Sequence, residues 1–491
     1  MNQIIGLDIG TNSVKALIIS GGKIIGQSQA SAAYNPDYLG NGMVEQDPEI
    51  WWQATCRVIC DITRAYPGNV VAIAAAGQMH SSVFLDNNGD VVRPAILWND
   101  TRTTPQVAQI TKAAGGMANL LSMVQNRALE GFTLPKVLWL RDNEPQNFAR
   151  VHKIIMPKDY INYKLTGRIA TDLSDAAGWV ALDVQNRRWS QSLLSALGLD
   201  ENLLPKLLES TDTLGQIKPQ LATQLGLSPQ TTVFAGAADN SAAAIGNGIT
   251  RPGQTIISIG TSGTVVTMLD KLPANITGTV HLFNYSHPGS YYAMGCMLSA
   301  GESLSWLRNI INAADFDEMG RLAADSTPGA GGVVFLPYLF GERCPHPDPA
   351  AKGIFYGLSG TTTRADMARA VMEGVAYNIR AMYELIADMT EITEICITGG
   401  GAKSRIWGQI IASTLGRTIN VLNIEEGPAL GAALIAGVGS GEFADFDAAK
   451  QQFLHVDRII TPEPNPIYKQ RYKTFTKLYQ ATMSSRAALS S

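Results

Sequence analysis

The sequence is poor in cysteine, and the few cysteines that it has show no pairing pattern. Its 491 residues include five, an odd number with scattered spacing: Cys56, Cys60, Cys296, Cys344 and Cys396. Cys56 and Cys60 would share a helix face, but no second pair of ligands accompanies them, so we do not expect a metal site there. Unpaired thiols are typical of the reducing cytoplasm, where we expect the protein to act.

The sequence also lacks long apolar runs and an excess of charge. No uncharged apolar stretch approaches the ~20 residues that cross a bilayer. Asp8 interrupts the first apolar run and no basic region precedes it, so we expect no signal peptide. The net charge is only −4, which gives no reason to expect a nucleic-acid or membrane partner. A chain of this length exceeds one hydrophobic core, and we expect two domains of roughly 200–250 residues.

One sequence pattern occurs twice, about half a chain apart. Residues 4–19 read as an apolar strand, a turn at Gly10-Thr11 and a second strand, and residues 256–267 repeat this order around Gly260-Thr261. Glycine at such a turn lets backbone N–H groups approach an anion closely, and threonine adds a hydroxyl. Two facing turns of this kind predict an ATP-dependent phosphotransferase whose two related halves grip a polyphosphate.

The order of the other segments also favours an internal duplication. A buried-strand pattern at 70–76 ends at Gly77, and a similar pattern at 395–398 ends at Gly399. We therefore predict a pseudo-symmetric α/β protein with two lobes and a cleft between them. The join is expected near 246–253, which divides the chain into 1–245 and 246–491. A last helix, at about 466–483, can pack on either lobe.

Asp8 ends the first strand of the first pattern. A carboxylate in a largely buried position is costly unless it meets a cation. Magnesium on the ATP phosphates, bound through water, is the natural cation. Lys15 lies in the following strand and can reach a phosphate oxygen. The alternative is that Asp8 only caps a turn, and the second copy at Gly260-Thr261 disfavours that alternative.

A lone acidic residue follows a predicted strand near the middle of the chain. Residues 231–235 lead through small residues to Asp239, the only charged group between Pro229 and Arg251. This isolation suits a general base that accepts a proton from a sugar hydroxyl. In phosphoryl transfer such a base also orients the nucleophile. A helix N-cap is the alternative role, and the local sequence does not separate the two.

Two segments carry candidate sugar contacts. His80 lies just beyond the strand that ends at Gly77 and can hydrogen-bond hydroxyls, and Met79 offers a polarizable wall to a sugar face. Trp98 and Asp100 lie in a polar segment that can add further contacts. A structural histidine, and surface roles for Trp98 and Asp100, are the alternatives.

A glycine-rich turn, Gly399-Gly400-Gly401, follows the equivalent strand of the second half. Strand, turn and helix N-terminus form a nucleotide-sized slot in which the backbone can lie flat against a purine. Ser404 is the predicted N-cap of a helix over 405–415. Small residues at 427–433, just after Glu426, predict a helix start that permits close packing.

Segments spread over nearly the whole chain match the pattern of one enzyme family. They are Glu45-Gln46-Asp47-Pro48 with Trp51-Trp52, Gly77-Gln78-Met79-His80, Pro94-Ala95-Ile96-Leu97-Trp98-Asn99-Asp100, Gly131-Phe132-Thr133 with Pro135-Lys136, Pro157-Lys158-Asp159-Tyr160, Thr166-Gly167, Ser174-Asp175-Ala176-Ala177-Gly178, Gly260-Thr261-Ser262-Gly263, Phe335-Leu336-Pro337-Tyr338, Gly341-Glu342-Arg343, Gly399-Gly400-Gly401-Ala402 and 427–433. In these segments the chain resembles the FGGY family of carbohydrate kinases and, within it, the xylulokinase branch.

The resemblance implies two actin-like (ribonuclease H-like) domains with an interdomain cleft, the first binding sugar and the second binding nucleotide. It implies MgATP and transfer of the γ-phosphate to a sugar hydroxyl, with Asp239 as proton acceptor and Asn240 beside it at the sugar. Adenosine is expected near 399–403, which includes Lys403, and Thr261 at the phosphates. Closure of the lobes would exclude water. The sequence leaves the assembly open, a homodimer included.

Three departures from the xylulokinase pattern leave the substrate open. Ser81 stands where those enzymes usually have glycine, as gluconokinase-like members tend to. Gly236-Ala237-Ala238 stands where three glycines usually precede the base. Arg127 lies in a segment that is usually apolar, and it would either place a cation near the sugar or stay on a solvated surface.

The leading interpretation is a pentulose kinase that converts D-xylulose to D-xylulose 5-phosphate. Gluconokinase is the main alternative, and ribulokinase is less favoured. Glycerol kinase is also less favoured, because that branch resembles Arg-Glu where this chain has Met79-His80. A sugar-sensing actin-like protein without turnover is the alternative of another class.

Overall fold

The computed structural model describes residues 1–31, 34–423 and 427–486. Glu426, at the predicted helix start, lies outside these residues. The strands are β1 (Asn2–Ile9), β2 (Val14–Ser20), β3 (Lys23–Ala30), β4 (Asp37–Gly40), β5 (Met43–Gln46), β6 (Asn69–Gly77), β7 (Val83–Leu85), β8 (Ala95–Ile96), β9 (Lys153–Ile155), β10 (Ala170–Asp172), β11 (Leu182–Asp183), β12 (Arg188–Trp189), β13 (Lys206–Leu208), β14 (Thr213–Gln216), β15 (Thr232–Phe234), β16 (Ala237–Ala238), β17 (Gln254–Ile259), β18 (Gly263–Leu269), β19 (His281–Asn284), β20 (Tyr291–Met297), β21 (Val334–Leu336), β22 (Ile354–Tyr356), β23 (Glu394–Thr398), β24 (Ile419–Leu422) and β25 (Val456–Ile460).

The helices are α1 (Pro48–Ala65), α2 (Thr104–Ala113), α3 (Met117–Val124), α4 (Thr133–Asn143), α5 (Pro145–Phe148), α6 (Pro157–Thr166), α7 (Leu173–Ala176), α8 (Gln191–Leu197), α9 (Pro219–Leu225), α10 (Asp239–Gly246), α11 (Gly301–Ile310), α12 (Phe316–Asp325), α13 (Arg364–Ala387), α14 (Arg405–Leu415), α15 (Gly427–Gly439), α16 (Phe446–Phe453) and α17 (Pro466–Arg486). None of the helices within the described ranges combines the length and the apolarity that crossing a membrane requires.

Two large sheets share one plan. The first has the order β14-β15-β6-β1-β2-β3, with β16 also on β6, and β1 runs antiparallel to β2 and parallel to β6. The second has the order β19-β20-β18-β17-β23-β24-β25, with β17 antiparallel to β18 and parallel to β23. The predicted duplication is confirmed. The copies differ at both edges. β14 precedes its neighbour β15 in the chain whereas β25 follows β24, and β19 extends the second sheet beyond β20, with no counterpart beside β3 among the described residues.

Local chemistry explains where the main helices begin. Asp47 is the N-cap of α1 and accepts a hydrogen bond from the Glu49 N–H at 2.9 Å, with Pro48 at the first helical position. Ser404 caps α14 by accepting from the Trp407 N–H at 3.3 Å. Both predicted starts are confirmed, because each depends on residues within one turn.

The first sheet is buried on both faces. Alternate residues of β1 point to opposite sides: Ile5 and Leu7 join the core formed with α1 and α6, and Ile4 joins the core formed with α10 and α15. The second sheet has its own core with α11, α13 and α14, and Phe475 and Tyr479 of α17 belong to it. The last helix therefore packs on elements of the second half.

Helix α15 comes late in the chain but packs on the first sheet and on α10. A Cβ on Gly431 would lie 1.8 Å from the Ala242 carbonyl oxygen, and one on Gly6 would lie 2.0 Å from that of Ala429. Only glycine allows backbones to approach so closely. The partner of this small-residue helix therefore lies in the other half of the chain. The division into 1–245 and 246–491 stays a prediction.

Candidate active site

The carboxyl ends of three strands bring two acidic residues to one edge of the first sheet. In the parallel pairing of β1 with β6, Asp8 lies opposite Ala76, and Ala76 pairs in turn with Ala237 of β16. Asp239 follows two residues later. The charge of Asp8 contributes to the raised pKa of Asp239, which places the two carboxylates within electrostatic range. Two such carboxylates at one strand end fit a divalent cation held on a polyphosphate.

Asp239 is half-buried at the first turn of α10. Burial, the largest cause, and then the charge of Asp8 raise its pKa to about 7. Its Oδ1 accepts from the Asn240 backbone N–H at 2.6 Å and from Asn240 Nδ2 at 2.9 Å. The N-cap of α10 is Ala238, with no side-chain cap. The carboxylate is therefore not used as a helix cap and is poised near neutral pH to accept a proton.

His80 is held in an unusual backbone conformation. Its φ is +69°, in the left-handed region that non-glycine residues rarely adopt. Its Nδ1 lies 2.8 Å from the Gly178 carbonyl oxygen, and because a carbonyl only accepts, Nδ1 carries the proton. Burial is the main cause that lowers the pKa of His80 well below its usual range. The ring is therefore neutral, and Nε2 can accept a hydrogen bond from a sugar hydroxyl.

Met79 and Trp98 line the same region from different sides. Met79 is buried, and its sulfur lies 3.8 Å from Asn240 Nδ2 and 3.9 Å from the Tyr292 hydroxyl. Trp98 is partly exposed, and its indole N–H donates to the Thr11 hydroxyl at 2.9 Å. Met79 thus backs the amide beside Asp239, while Trp98 connects the sugar side to the first phosphate turn.

Asp100 does not reach the cleft. Its side chain is completely buried, and its oxygens accept from the Val44 N–H at 2.6 Å and from the Arg102 guanidinium at 2.7 Å and 2.9 Å. These bonds use the carboxylate internally, since a buried carboxylate needs such partners. This corrects the expectation of a sugar contact at Asp100.

Each Gly-Thr turn is closed by a hydrogen bond from its glycine N–H to a serine carbonyl, three residues on in the first turn and two in the second. The Gly10 N–H donates to the Ser13 carbonyl and the Gly260 N–H to the Ser262 carbonyl, both at 3.0 Å. The Thr11 hydroxyl donates to Gln78 Oε1 at 3.2 Å. Lys15 lies directly opposite Asp8 on the neighbouring strand, so both side chains project from one face of the sheet.

A cavity of about 890 Å³ opens beside the second turn. It is lined by residues of α11, α12 and α14 and by five residues singled out in the sequence: Gly260, Thr261, Gly400, Gly401 and Lys403. Gly399 lines an adjoining cavity of about 430 Å³ instead, together with Lys403. The larger cavity has the size of a typical ligand pocket, and it brings the phosphate turn and the glycine-rich turn together.

Helix α11 supports the second phosphate turn. The Gly301 N–H donates to the Gly260 carbonyl at 2.8 Å, and a Cβ on Gly301 would lie 2.5 Å from that oxygen.

We expect Gly301→Ala to displace the turn and to raise KM for ATP about tenfold, with KM for sugar unchanged. Steady-state kinetics with each substrate varied measures this. The matched control is Gly360→Ala, whose Cβ meets nothing within 4 Å. An unchanged KM for ATP would show that α11 does not determine the position of the Gly260-Thr261 turn.

Several residues of the site were not assigned a role from the sequence. Gln78 holds the first turn, and Lys136 is a completely buried ammonium beside His80. Arg343 approaches His80 from the second half. Each belongs to a segment that resembles the family pattern, which was the only available signal, because their partners are distant in sequence.

Ser81 and Arg127 are two of the three departures from the family pattern, and each contacts another segment of the chain. The Ser81 hydroxyl accepts from the Trp98 N–H at 3.1 Å. The chain packs Arg127 against Gly278 of the second half, in a half-buried position. Its side chain is therefore only partly solvated. Burial is the main cause of the lowered pKa of His80, and the cations that lower it further are Lys136 and Arg343.

The duplicated sheets, each with a Gly-Thr turn, and the half-buried acid at the strand ends of the first sheet are features of an actin-like phosphotransferase. The chain belongs to the FGGY family of carbohydrate kinases: the model of the family's N-terminal domain matches residues 3–246, and that of its C-terminal domain matches residues 255–440. Among curated relatives, xylulose kinase of Staphylococcus xylosus is 39% identical over 483 residues, which cover 98% of each chain.

Two solved structures of Lactobacillus acidophilus proteins are also similar. The ligand-bound xylulose kinase matches with a TM-score of 0.94 and 27% identity, over 100% of both chains. The gluconate kinase matches with a TM-score of 0.93 and 27% identity, over 99% of both chains. Because these two proteins are named for different substrates, similarity of the overall fold does not identify the substrate of this chain.

Proposed function

We propose that this protein transfers the γ-phosphate of ATP to D-xylulose and forms D-xylulose 5-phosphate. The observation that carries the proposal is Asp239, a half-buried carboxylate with a pKa of about 7 that lies beside the candidate sugar contacts. The similarity to xylulose kinase over 98% of each chain supports the choice of sugar.

In the proposed reaction, residues of the first lobe bind the sugar and accept the proton of the attacking hydroxyl. Asp239 orients the attacking hydroxyl and accepts its proton late in the transfer, while Asn240 holds the carboxylate in place. His80 accepts from a second hydroxyl through Nε2, and Met79 and Trp98 enclose the sugar. Most of the barrier is lowered by positioning and by electrostatic stabilisation of the transferring group.

The nucleotide is assigned to the 890 Å³ cavity and the two turns. The hydroxyls of Thr11 and Thr261 are assigned to the phosphates, at turns that the Gly10 and Gly260 N–H groups close internally. Lys15 and Lys403 add charge. The purine is assigned to the surface of Gly400 and Gly401, with Gly399 behind it. Asp8 would hold magnesium through water, and the bound ion supplies positive charge to the phosphates.

We also propose that the protein acts in the cytoplasm. All five cysteines are free thiols, and Cys344 and Cys396 are buried. Free thiols are the usual state in a reducing compartment. Closure of the two lobes over both substrates would keep water from taking the phosphate.

A screen for ADP release, coupled to NADH oxidation, tests the substrate. It compares pentuloses, pentitols, glycerol and aldonates at equal concentration with saturating MgATP. We expect kcat/KM for D-xylulose to exceed that for every other compound by about 100-fold, since a site built for one set of polar contacts rejects analogues that leave groups unpaired. Strong turnover of gluconate with none of D-xylulose would overturn the choice of sugar. No turnover with any sugar would favour a sensing protein.

A further inference from the structure

A half-buried cation of the second half faces the candidate sugar contacts of the first half. Arg343 follows β21, and its Nη2 lies 3.6 Å from the point where a Cβ on Gly131 would lie. Burial is the largest cause of the lowered pKa of His80, Lys136 and His281, and the charge of Arg343 lowers each of them further. The guanidinium is therefore close to the imidazole that we assign to the sugar.

The guanidinium of Arg343 has no hydrogen-bond acceptor or ion-pair partner among the residues that the structure describes. Only its backbone N–H is bound, by Glu342 Oε1 at 2.7 Å. The neighbouring ammonium of Lys136 is already saturated by four carbonyl oxygens, those of His80, Glu130, Gly131 and Phe132. A partly desolvated fork of N–H donors without an acceptor is costly, and the missing acceptor is what a ligand would supply.

The loop that carries Arg343 is anchored rather than free. Glu342 is 2% exposed, and its Oε2 accepts from Asn378 Nδ2 of α13 at 3.1 Å. Its Oε1 holds the Arg343 backbone. The buried Glu342 side chain, held by these donors, fixes the backbone from which Arg343 projects, and a fixed backbone is part of the preorganisation that specific recognition requires.

We propose that Arg343 is a specificity-determining residue, whose guanidinium donates to the C2 carbonyl and C1 hydroxyl oxygens of the ketose, at the end remote from the phosphorylated hydroxyl. This inference rests on the proposed function. It assigns one end of the sugar to a side chain of the second lobe, while His80 and Asp239 of the first lobe contact the rest.

The chemistry of a ketose end fits such a fork. Its carbonyl and hydroxyl oxygens can lie in one plane, as the two oxygens of a carboxylate do, and a guanidinium donates to such a pair with two parallel N–H groups. Reduction at C2 gives a pentitol with a tetrahedral carbon, which breaks the plane. It also adds an O–H that faces the donors of Arg343 and leaves polar groups unpaired, so the site discriminates against it.

The test compares Arg343→Met and Arg343→Lys with the control Arg188→Met, an arginine of the first half whose side chain is 74% exposed. KM and kcat for D-xylulose, KM for ATP and inhibition constants of xylitol and D-arabinitol are measured. We expect Arg343→Met to raise KM for D-xylulose about 30-fold with kcat changed less than about threefold. The preference for ketose over pentitol should fall about tenfold in both Arg343 variants. KM for ATP should not change, and Arg188→Met should match the parent protein.

Equal losses for ketose and pentitol, or no difference between Arg343→Met and Arg188→Met, would overturn the assignment. Should Arg343→Met fail to fold, Arg343→Lys decides alone, because it keeps the charge and loses the planar fork. The parent protein's own turnover separates the two proposals. Turnover of gluconate without D-xylulose overturns the proposed function, whereas turnover of D-xylulose with an unchanged ketose preference in the variants overturns only the role of Arg343.

Discussion

Replacing Asp239 by asparagine is expected to lower kcat for D-xylulose by about 10³-fold. The carboxylate accepts from both nitrogens of Asn240 and has a pKa of about 7, so it is held in position and can take a proton. Asparagine has nearly the same shape and cannot accept a proton, and loss of a positioned base costs about 10²–10⁴ in rate. Single-turnover kinetics with saturating MgATP measures the chemical step directly.

The Asp239→Asn variant needs a control that changes the same atoms elsewhere. Asp445 also stands at a helix start, where it caps α16 by accepting from the Ala448 N–H at 2.7 Å. Asp445→Asn should leave kcat unchanged, because asparagine is an equally good N-cap. The dissociation constant for ATP should be the same in all three proteins. A variant at Asp239 that keeps parental kcat would remove the proton acceptor from the proposed mechanism.

Replacing Lys158 by methionine is expected to lower the free energy of unfolding by about 3–5 kcal/mol. Its ammonium lies 2.6 Å from Asp159, 3.2 Å from Asp172 and 3.7 Å from Asp175, and all four side chains are completely buried. Without the cation, three carboxylates would share one buried space. Chemical denaturation at pH 7.5 measures the loss.

The same variant should show a characteristic pH dependence. Burial raises the pKa of Asp159 and Asp175, whereas the charge of Lys158 lowers it. Removing Lys158 therefore raises these folded-state pKa values further above the unfolded value, and stability is lost as pH rises. The deficit relative to the parent protein should be larger at pH 8 than at pH 5.

The matched control is Lys164→Met. Lys164 pairs with Glu49 at 3.0 Å, but both side chains are partly exposed, so its loss should cost less than about 1 kcal/mol. Equal losses for Lys158→Met and Lys164→Met would show that the buried cluster has no special role. The cluster also bears on the site, because Asp172 accepts from the Ser174 hydroxyl, which in turn binds the Ala238 N–H next to Asp239.

Elements with local causes could be predicted from the sequence. The caps at Asp47 and Ser404 and the two Gly-Thr hairpins were placed correctly, because each depends on residues a few positions apart. The duplication was also predictable, since equivalent strands end at Gly77 and Gly399 in the same order. The family followed from motifs that run along nearly the whole chain.

Side-chain roles that depend on distant partners could not be predicted in this way. Asp100 has a carboxylate of the kind that binds sugar hydroxyls, yet this carboxylate bonds to Arg102 and to the Val44 backbone instead. A cation beside the sugar was considered at Arg127, and the structure offers Arg343 instead, more than 200 residues away along the chain. Nothing near either arginine in sequence distinguishes them.

The sequence by itself determined the strands, the two Gly-Thr turns, the isolated acid at 239 and the family, because these follow from local conformational preference and recurring patterns. Only the tertiary structure decided that α15 packs on the first sheet, that Asp100 is buried and that Arg343 lies within electrostatic range of His80. The physical reason is that burial, pKa and the partners of a charge depend on which distant segments meet, and a one-dimensional pattern does not contain those distances.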